Sequence, residues 1–333
     1  MIDQALPLID LHRHLDGNIR LETVLDLGRR HNIPLPAWNI DELRPFIQIT
    51  VPKPEVMAFI AMFKWTVSIL VDYEACQRVA YENVEDAFHE GIDYIELRFS
   101  PWFMSEPNHL EPAGVVSAVI EGVTQAARDT GIKVNLIGVM SRTYGPESAM
   151  EELGALLTHS ASLVALDLAG DEVNYPAELF INHFKKAWDV GWQVTVHAGE
   201  SAGPESVWSA IRNLKATRIG HAVHSREDPV LLDYMRDHQI GIETSLTSNL
   251  QTSTVPDYAS HPLKSFLEKG LLATINTDDP GISGITLPYE YNVAAPAAGL
   301  SPDQIRKAQR NALDIAFLSG EEKKELLLKK SVK

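Results

Sequence analysis

The chain has one cysteine among its 333 residues, Cys76, so it cannot form an internal disulfide. The segment around it, 73–80, has a helical pattern in which the thiol is expected to be a small buried side chain. Zinc sites of the H-x-E and P-C-x-x-C type are excluded, because they require at least two cysteines. The low cysteine content fits a reducing compartment.

Positive charge and long apolar runs are also scarce in the sequence. The formal net charge is -16 at pH 7, which repels phosphate backbones and anionic lipid head groups. No run of about 18 apolar residues predicts a membrane span, and residues 1–4 lack the basic start of a secretory signal. We therefore expect a cytoplasmic protein that binds neither nucleic acid nor membranes.

Eight short runs of β-forming residues alternate with segments of helical spacing. The runs lie near Leu8–His14, Asp93–Phe99, Lys133–Met140, Leu163–Leu168, Gln193–His197, Arg218–His221, Ile240–Thr244 and Leu272–Thr277. Strands that alternate with helices pair in parallel through right-handed crossovers, and eight such repeats predict a (β/α)8 TIM-type barrel. The alternative is a doubly wound open sheet, which would need a glycine-rich phosphate turn that this sequence lacks.

The connection between the first two predicted strands is far longer than the usual ~2–6 residues. We expect one barrel domain over residues 1–333, with a helical insertion of roughly three segments over 15–92. One face of this insertion carries the apolar residues Val56, Phe59, Ile60, Phe63 and Val67. The spacing allows two interpretations equally, a face packed in the core or a wall that covers a substrate.

Possible metal ligands follow several of the predicted strands. They are His12 and His14 after the first strand, His197 and Glu200 after the fifth, His221 after the sixth, and Asp278 and Asp279 after the eighth. The carboxyl ends of barrel strands meet at one rim, so these side chains are expected to converge there. Imidazoles and carboxylates together suit a divalent ion of the zinc type.

The first of these groups is an H-x-H pair at a strand end. Side chains alternate along a strand, so His12 and His14 share a face while Arg13 points away. The pair is a weak signal alone, and His197 and Asp278 supply the further ligands that a metal site needs.

Asp278 and Asp279 lie next to each other where Pro280 ends the eighth predicted strand. In a regular strand they would face opposite sides. At a strand end both can turn inward, one toward a metal and the other toward substrate or water.

Glu200 lies three residues beyond His197, and Gly199 permits a sharp turn that directs the carboxyl back toward the metal. A carboxyl in a dry pocket has a raised pKa, which suits a general acid. The alternative is a cap for the helix that starts near Pro204. The neighbouring His197 favours the catalytic interpretation.

The remaining polar candidates are weaker. His221 alone would be interpreted as structural, and only its position one strand beyond His197 suggests a role beside a metal-bound water. Glu96 and Arg98 share a face of the second strand, as a buried ion pair or as catalytic groups. The other histidines are interpreted as surface or packing residues: His31, His89, His109, His159, His183, His224, His238 and His261.

Seven motifs occur in order along nearly the whole chain. They are His12-Arg13-His14-Leu15-Asp16-Gly17, Tyr94-Ile95-Glu96-Leu97-Arg98 with Ser100-Pro101, Asp167-Leu168-Ala169-Gly170-Asp171-Glu172, Val196-His197-Ala198-Gly199-Glu200, Arg218-Ile219-Gly220-His221, Thr247-Ser248-Asn249 and Thr277-Asp278-Asp279-Pro280. Together they resemble the adenosine deaminase family, and the short bacterial members most closely.

The resemblance implies zinc-dependent hydrolysis of the 6-amino group of adenosine, and of 2'-deoxyadenosine, to inosine or deoxyinosine and ammonia in purine salvage. The implied metal ligands are His12, His14, His197 and Asp278. The implied catalytic residues are Glu200, as proton donor to a ring nitrogen, and His221, which orients the hydroxide. The implied substrate contacts are Asp279 and the Gly170 N–H to ring nitrogens, Asp16 to the ribose, and His14.

Two positions depart from the family pattern. Ala222 stands where glycine commonly follows the histidine, and Thr244-Ser245 replaces Ser-Cys. Adenine deaminases and N6-modified purine hydrolases share most of these motifs but commonly have glutamate or asparagine at the position of Asp16, so a nucleoside is favoured. A non-catalytic binding relative is the other alternative, and it would be expected to have lost Glu200 or a ligand.

Overall fold

Eight strands pair in parallel and in chain order around a barrel. The computed structural model describes residues 1–331, so the last two residues of the domain predicted over 1–333 lie outside it. The strands are β1 (Ile9–His14), β2 (Tyr94–Phe99), β3 (Lys133–Ser141), β4 (Ala165–Ala169), β5 (Gln193–Ala198), β6 (Arg218–His221), β7 (Gly241–Thr244) and β8 (Leu272–Ile275). The predicted (β/α)8 barrel is confirmed, with strand ends within a few residues of those expected.

The barrel closes between β8 and β1 through a single residue, Asp278, which follows the end of β8. The backbone N–H of Asp278 donates to the carbonyl of His12, and the N–H of His14 donates to the carbonyl of Asp278, both at 2.7 Å. These two bonds form an isolated parallel bridge opposite Arg13. Closure of the sheet therefore places three of the predicted metal ligands side by side.

Helices surround the strands. They are α1 (Leu21–Arg30), α2 (Ile40–Ile47), α3 (Val56–Ile60), α4 (Lys64–Ser68), α5 (Tyr73–His89), α6 (Pro101–Ser105), α7 (Pro112–Thr130), α8 (Gly145–Leu157), α9 (Ile181–Asp189), α10 (Pro204–Leu214), α11 (Pro229–Asp237), α12 (Leu246–Gln251), α13 (Leu263–Glu268), α14 (Pro280–Ser283), α15 (Leu287–Tyr289), α16 (Ala295–Ala297), α17 (Pro302–Ile315) and α18 (Gly320–Ser331), with a π-helical turn at Glu290–Ala294. The short 3-10 turns are Ala61–Phe63, Glu106–Asn108, Arg142–Tyr144, Ser160–Ser162, Ala177–Phe180, Val223–Glu227 and Tyr258–Ser260.

Local sequence signals set several helix ends. The side chain of Asp72 accepts a hydrogen bond from the N–H of Ala75 and caps α5, while Ser301 and Gln304 form a reciprocal capping box at the start of α17. Helix α7 ends at Thr130 and is followed by Gly131, whose φ of 72° is the left-handed conformation that glycine adopts without strain.

The insertion between β1 and β2 contains α1 to α5 rather than about three helical segments. The number differs partly because a 3-10 turn at Ala61–Phe63 divides the apolar stretch into α3 and α4. Helix α5 contains Cys76, which is buried and unpaired as expected, and burial raises the pKa of its thiol to about 12. No single helix within residues 1–331 passes the length and hydropathy test for crossing a membrane; the bent pair Val56–Ser68 and Tyr73–His89 passes on length and composition only.

Buried charges fill the barrel interior below the rim. Arg98 contacts Asp167 and Glu243, both at 2.7 Å, and Arg218 contacts Glu243 at 2.7 Å and also Glu96. Glu96 and Arg98, the possible ion pair on β2, therefore each bind other partners across the barrel. They point the same way but lie two residues, about 6.6 Å, apart along the strand, in different layers of side chains.

Candidate active site

A cavity opens at the carboxyl ends of the strands, and its empty space, counted together with the open solvent at its mouth, is about 770 Å³. Its polar wall includes His14, His197, Glu200, His221, Asp278 and Asp279. Its apolar wall includes Val56, Phe59, Ile60, Phe63, Phe103 and Val139. Four of the five residues on the apolar face of the insertion thus line the cavity, which favours the interpretation as a substrate wall; Val67 is buried outside the lining.

The four predicted metal ligands converge here: His14, His197 and Asp278 line the cavity, and His12 is fully buried next to them. The Nε2 atom of His197 lies 3.1 Å from Nε2 of His12 and 3.2 Å from Nε2 of His14. One carboxylate oxygen of Asp278 lies 3.1 Å from Nε2 of His12 and 3.4 Å from Nε2 of His14. Residues far apart in sequence therefore direct ligand atoms toward one point.

The hydrogen bonds behind two of these rings fit a metal. Nδ1 of His12 contacts Glu243 at 2.8 Å, and Nδ1 of His197 contacts Asp167 at 3.0 Å. A neutral imidazole that donates from Nδ1 to a carboxylate carries a lone pair on Nε2. Two such lone pairs 3.1 Å apart repel each other unless a cation lies between them. Three imidazoles and a carboxylate are also a zinc-type ligand set.

A fourth histidine lies at the edge of this cluster. The ligand atoms of His12, His197, His221 and Asp278 all lie within 4.8 Å of one another. Nε2 of His221 is 3.8 Å from Asp278 and 3.6 Å from Glu200. This group and the predicted ligand set differ by one residue, because it contains His221 in place of His14.

Glu200 is buried beside this cluster. Burial raises the pKa of its carboxyl well above the usual value, and the charges of Asp278 and Glu172 raise it further. The predicted turn is present, because Gly199 has a φ of 70° and a Cβ there would meet Val207 at 2.7 Å. The helix-cap alternative for Glu200 is wrong, since the N-cap residue of α10 is Gly203 and no side chain caps this helix.

Glu172 holds the backbone that carries Glu200, a role that sequence reasoning missed although its motif was noticed. Its carboxylate accepts backbone N–H groups from Gly199 at 2.6 Å, Glu200 at 3.2 Å, Ser201 at 2.9 Å and Ala202 at 3.1 Å. Burial alone would raise its pKa, but the charge of Arg142 and the hydrogen-bond donors together hold that pKa below the usual value.

We expect Glu172→Ala to lower the free energy of unfolding by about 3 kcal/mol or more, since each buried N–H left without a partner costs ~1–3 kcal/mol. Denaturant unfolding measures this change. Glu121→Ala, on the exposed face of α7, is the control and should change stability by no more than ~0.5 kcal/mol. Equal small effects in both variants would show that Glu172 does not hold the loop.

Two further carboxylates face the cavity with unsatisfied oxygens. Oδ1 of Asp16 and Oδ1 of Asp279 are buried, and within residues 1–331 neither has a hydrogen-bond partner. Burial raises the pKa of Asp16 to about 7, while backbone N–H groups of Ser100 and Gly17 oppose the rise, as a turn-stabilising role would predict. Asp16 does not cap the next helix, which begins after Arg20 without a side-chain cap.

Besides Gly199, further positions at the rim have left-handed backbone conformations, among them Gly170, Ala222 and Asp278. Gly170 lines the cavity with a φ of 107°, and a Cβ there would meet Thr143 at 2.3 Å. Ala222 has a φ of 53°, a conformation that favours glycine, so the family's usual residue fits the backbone better. Asp278 also has a positive φ, 66°, which its two closure bonds hold in place.

Asn249 and His261 contact each other behind the polar wall. Nδ2 of Asn249 lies 3.3 Å from Glu200 and 3.1 Å from Nδ1 of His221, and its Oδ1 lies 3.1 Å from Nε2 of His261. His261 is 3% exposed, so of the two roles expected for it, surface or packing, the surface one is wrong. Its distance of 12 residues from Asn249 gave no sequence signal of this contact.

Comparison with known proteins agrees with this geometry. The family model described as adenosine deaminase matches residues 7–331. Adenosine deaminases of Klebsiella pneumoniae (strain 342) and Vibrio cholerae serotype O1 (strain M66-2) are 58% and 57% identical to this chain, over 98% and 100% of both sequences. An adenine deaminase structure from Arthrobacter aurescens has the same fold, with a TM-score of 0.91, 24% identity and 98% coverage of each chain. The chain therefore belongs to the adenosine deaminase family of hydrolytic deaminases.

Proposed function

We propose that this protein hydrolyses adenosine and 2'-deoxyadenosine to inosine, deoxyinosine and ammonia with a bound zinc ion. The observation that carries the proposal is the convergence of three imidazole nitrogens and the Asp278 carboxylate beside a buried Glu200 in one cavity. Retention of Glu200 and of every expected ligand opposes a non-catalytic binding relative.

The residues proposed to hold the ion are His12, His14, His197 and Asp278. Burial lowers the pKa of both His14 and His197, so these rings are neutral and able to act as ligands. A zinc ion in such a site supplies a nucleophile at neutral pH by acidifying water. Carboxylates behind His12 and His197 fix the orientation of their rings.

Glu200 is the proposed proton donor. Burial raises the pKa of its carboxyl well above the usual value, which favours the protonated form that can give a proton to the ring nitrogen beside the attacked carbon. Asn249 donates to Oε1 of Glu200 at 3.3 Å. Oε2, the other oxygen of the carboxyl, lies 3.6 Å from Nε2 of His221.

The remaining contacts are proposed to orient the nucleoside. Asp279 and the N–H of Gly170 would bind ring nitrogens, and the unpaired Oδ1 atoms of Asp279 and Asp16 each need a partner that a substrate can supply. Burial raises the pKa of Asp279 well above its usual value, and the charges of Asp278, Asp16 and Glu200 raise it further. A protonated Asp279 could donate to a ring nitrogen.

We expect Asp16→Ala to raise KM for adenosine far more than KM for a nucleoside that lacks the 5'-hydroxyl. A carboxylate that accepts a hydrogen bond from that hydroxyl contributes ~1.5–3 kcal/mol, or about one to two decades in affinity. Steady-state kinetics with both substrates on metal-loaded protein measure the difference. Asp16→Asn, which keeps the shape, is the matched control and should have a smaller effect.

If both substrates lose affinity equally in Asp16→Ala, the residue supports the turn at Gly17 rather than the sugar. The preference for a nucleoside over free adenine would then lose its main support.

The substrate class is tested by comparing kcat/KM for adenosine, 2'-deoxyadenosine and adenine from the rate of ammonia release. We expect both nucleosides to react and adenine to be the poorest substrate, because only the nucleosides reach Asp16. Adenine as the best substrate would overturn the assignment. We also propose that the protein acts in purine salvage in the cytoplasm. The family resemblance supports the first part, and the single cysteine, which fits a reducing compartment, supports the second.

A further inference from the structure

A chain of three hydrogen bonds ends at His221, and its direction is set by a backbone group. The N–H of Leu263 lies 3.1 Å from Nδ1 of His261. A backbone N–H can only donate, so Nδ1 of His261 is the acceptor. Burial and the nearby charge of Arg226 lower the pKa of His261 to about 3, and the neutral ring therefore carries its proton on Nε2.

The orientation of His261 in turn fixes the orientation of the Asn249 amide. Nε2–H of His261 points at Oδ1 of Asn249, 3.1 Å away, so the amide oxygen accepts and the amide nitrogen must face the other way. That nitrogen has two hydrogens. One is directed at Oε1 of Glu200, 3.3 Å away, and the other at Nδ1 of His221, 3.1 Å away.

We propose that His261 and Asn249 are positioning residues that hold neutral His221 in the tautomer with its proton on Nε2. Nδ1 of His221 accepts from Asn249, so the ring hydrogen lies on the nitrogen that faces Asp278 and Glu200. His12 and His197 have the opposite arrangement, with a carboxylate behind Nδ1. In this tautomer His221 would donate a hydrogen bond from Nε2 to the oxygen that attacks the substrate, and this nitrogen would have no lone pair for a metal.

The same chain distinguishes the two possible ligand sets. The ring of His221 lies close enough to His12, His197 and Asp278 to be a ligand. A protonated Nε2, however, has no lone pair for a metal. In the described part of the chain, no amide donor contacts Nε2 of His14, which faces Nε2 of His197 at 3.2 Å. The tautomer therefore favours the set that contains His14. His221 is also held at a φ of 65°, so its backbone as well as its ring is constrained.

The tautomer is measured directly by nitrogen-15 NMR of the zinc-loaded protein labelled in its 12 histidine rings. The signals of His221 are those absent in His221→Gln. We expect wild-type His221 to be protonated on Nε2 and unprotonated on Nδ1. The isosteric Asn249→Asp still accepts from His261, but it also accepts from His221 and should move the proton to Nδ1. A wild-type His221 protonated on Nδ1, or one unchanged in Asn249→Asp, would overturn the proposal.

A second measurement separates positioning from folding. His261→Phe removes the donor that orients Asn249, and kcat for adenosine should fall on the order of tenfold with little change in KM, as for a contact used in the transition state. The control is His183→Phe, because His183 is also a buried histidine, bonded to the carbonyl of Pro146 at 2.7 Å; it should keep both constants. Equal kcat in wild type and His261→Phe would contradict the inference.

This consequence for kcat rests on the proposed deamination of adenosine, whereas the NMR measurement does not. If the protein fails to deaminate adenosine but His221 has the predicted tautomer, the proposed function is contradicted and the inference about the tautomer stands. If His261→Phe does not fold, the NMR spectra of the wild type and of Asn249→Asp still test the tautomer of His221.

Discussion

Glu200→Gln is expected to keep its metal and its fold while turnover of adenosine falls by at least ~10²–10⁴, the range typical of a lost general acid. The amide has the shape of the carboxyl, but it cannot deliver a proton to the purine ring. The backbone of residue 200 remains held by Glu172, so the loop should not move. Steady-state kinetics and metal analysis on the same sample measure both parts of the prediction.

Glu205→Gln is a matched control, because Glu205 is an exposed glutamate in the first turn of α10. It should retain wild-type turnover. Near wild-type turnover in metal-loaded Glu200→Gln would show that Glu200 is not the proton donor and has only a packing role.

His197→Ala is expected to release the metal. Loss of a residue that only supports a ligand typically costs about 10–100-fold in metal affinity, and loss of a ligand itself should cost more. Nε2 of His197 is within 3.2 Å of Nε2 in both His12 and His14, so it is central to the cluster. The fold should persist, because Asp167 keeps its ion pair with Arg98 when the imidazole is removed.

Elemental analysis of purified wild-type and variant protein measures this effect. We expect about one divalent ion per chain in the wild type and little in His197→Ala. His183→Ala removes a buried histidine elsewhere and should keep the ion. Equal metal content in wild type and His197→Ala would contradict the ligand assignment.

The barrel could be predicted because strand periodicity is a local property of the sequence. Each of the β1 to β8 strands coincides with a predicted apolar run, and parallel pairing through crossovers leaves few topologies for eight strands. The number of helices in the insertion could not be predicted equally well. A single 3-10 turn at Ala61–Phe63 changes the number of helices without changing the apolar spacing.

Candidate ligands could be found because barrel geometry brings strand ends together, so His12, His197 and Asp278 needed only their positions after strands. The supporting residues required side-chain contacts that no spacing encodes. Glu172 reaches across from the loop after β4 to the turn after β5, and His261 reaches Asn249 from the segment just before α13. Such contacts depend on how loops fold over the rim.

The central claim is metal-dependent deamination of adenosine at this rim. Its most direct test is ammonia release from adenosine by protein stripped of metal with a chelator, and again after addition of one zinc ion per chain. We predict no turnover in the stripped protein and full recovery after addition, because the proposed ligands His12, His14, His197 and Asp278 converge on one point. Undiminished turnover in the stripped protein, or no ammonia after zinc is restored, would contradict the account.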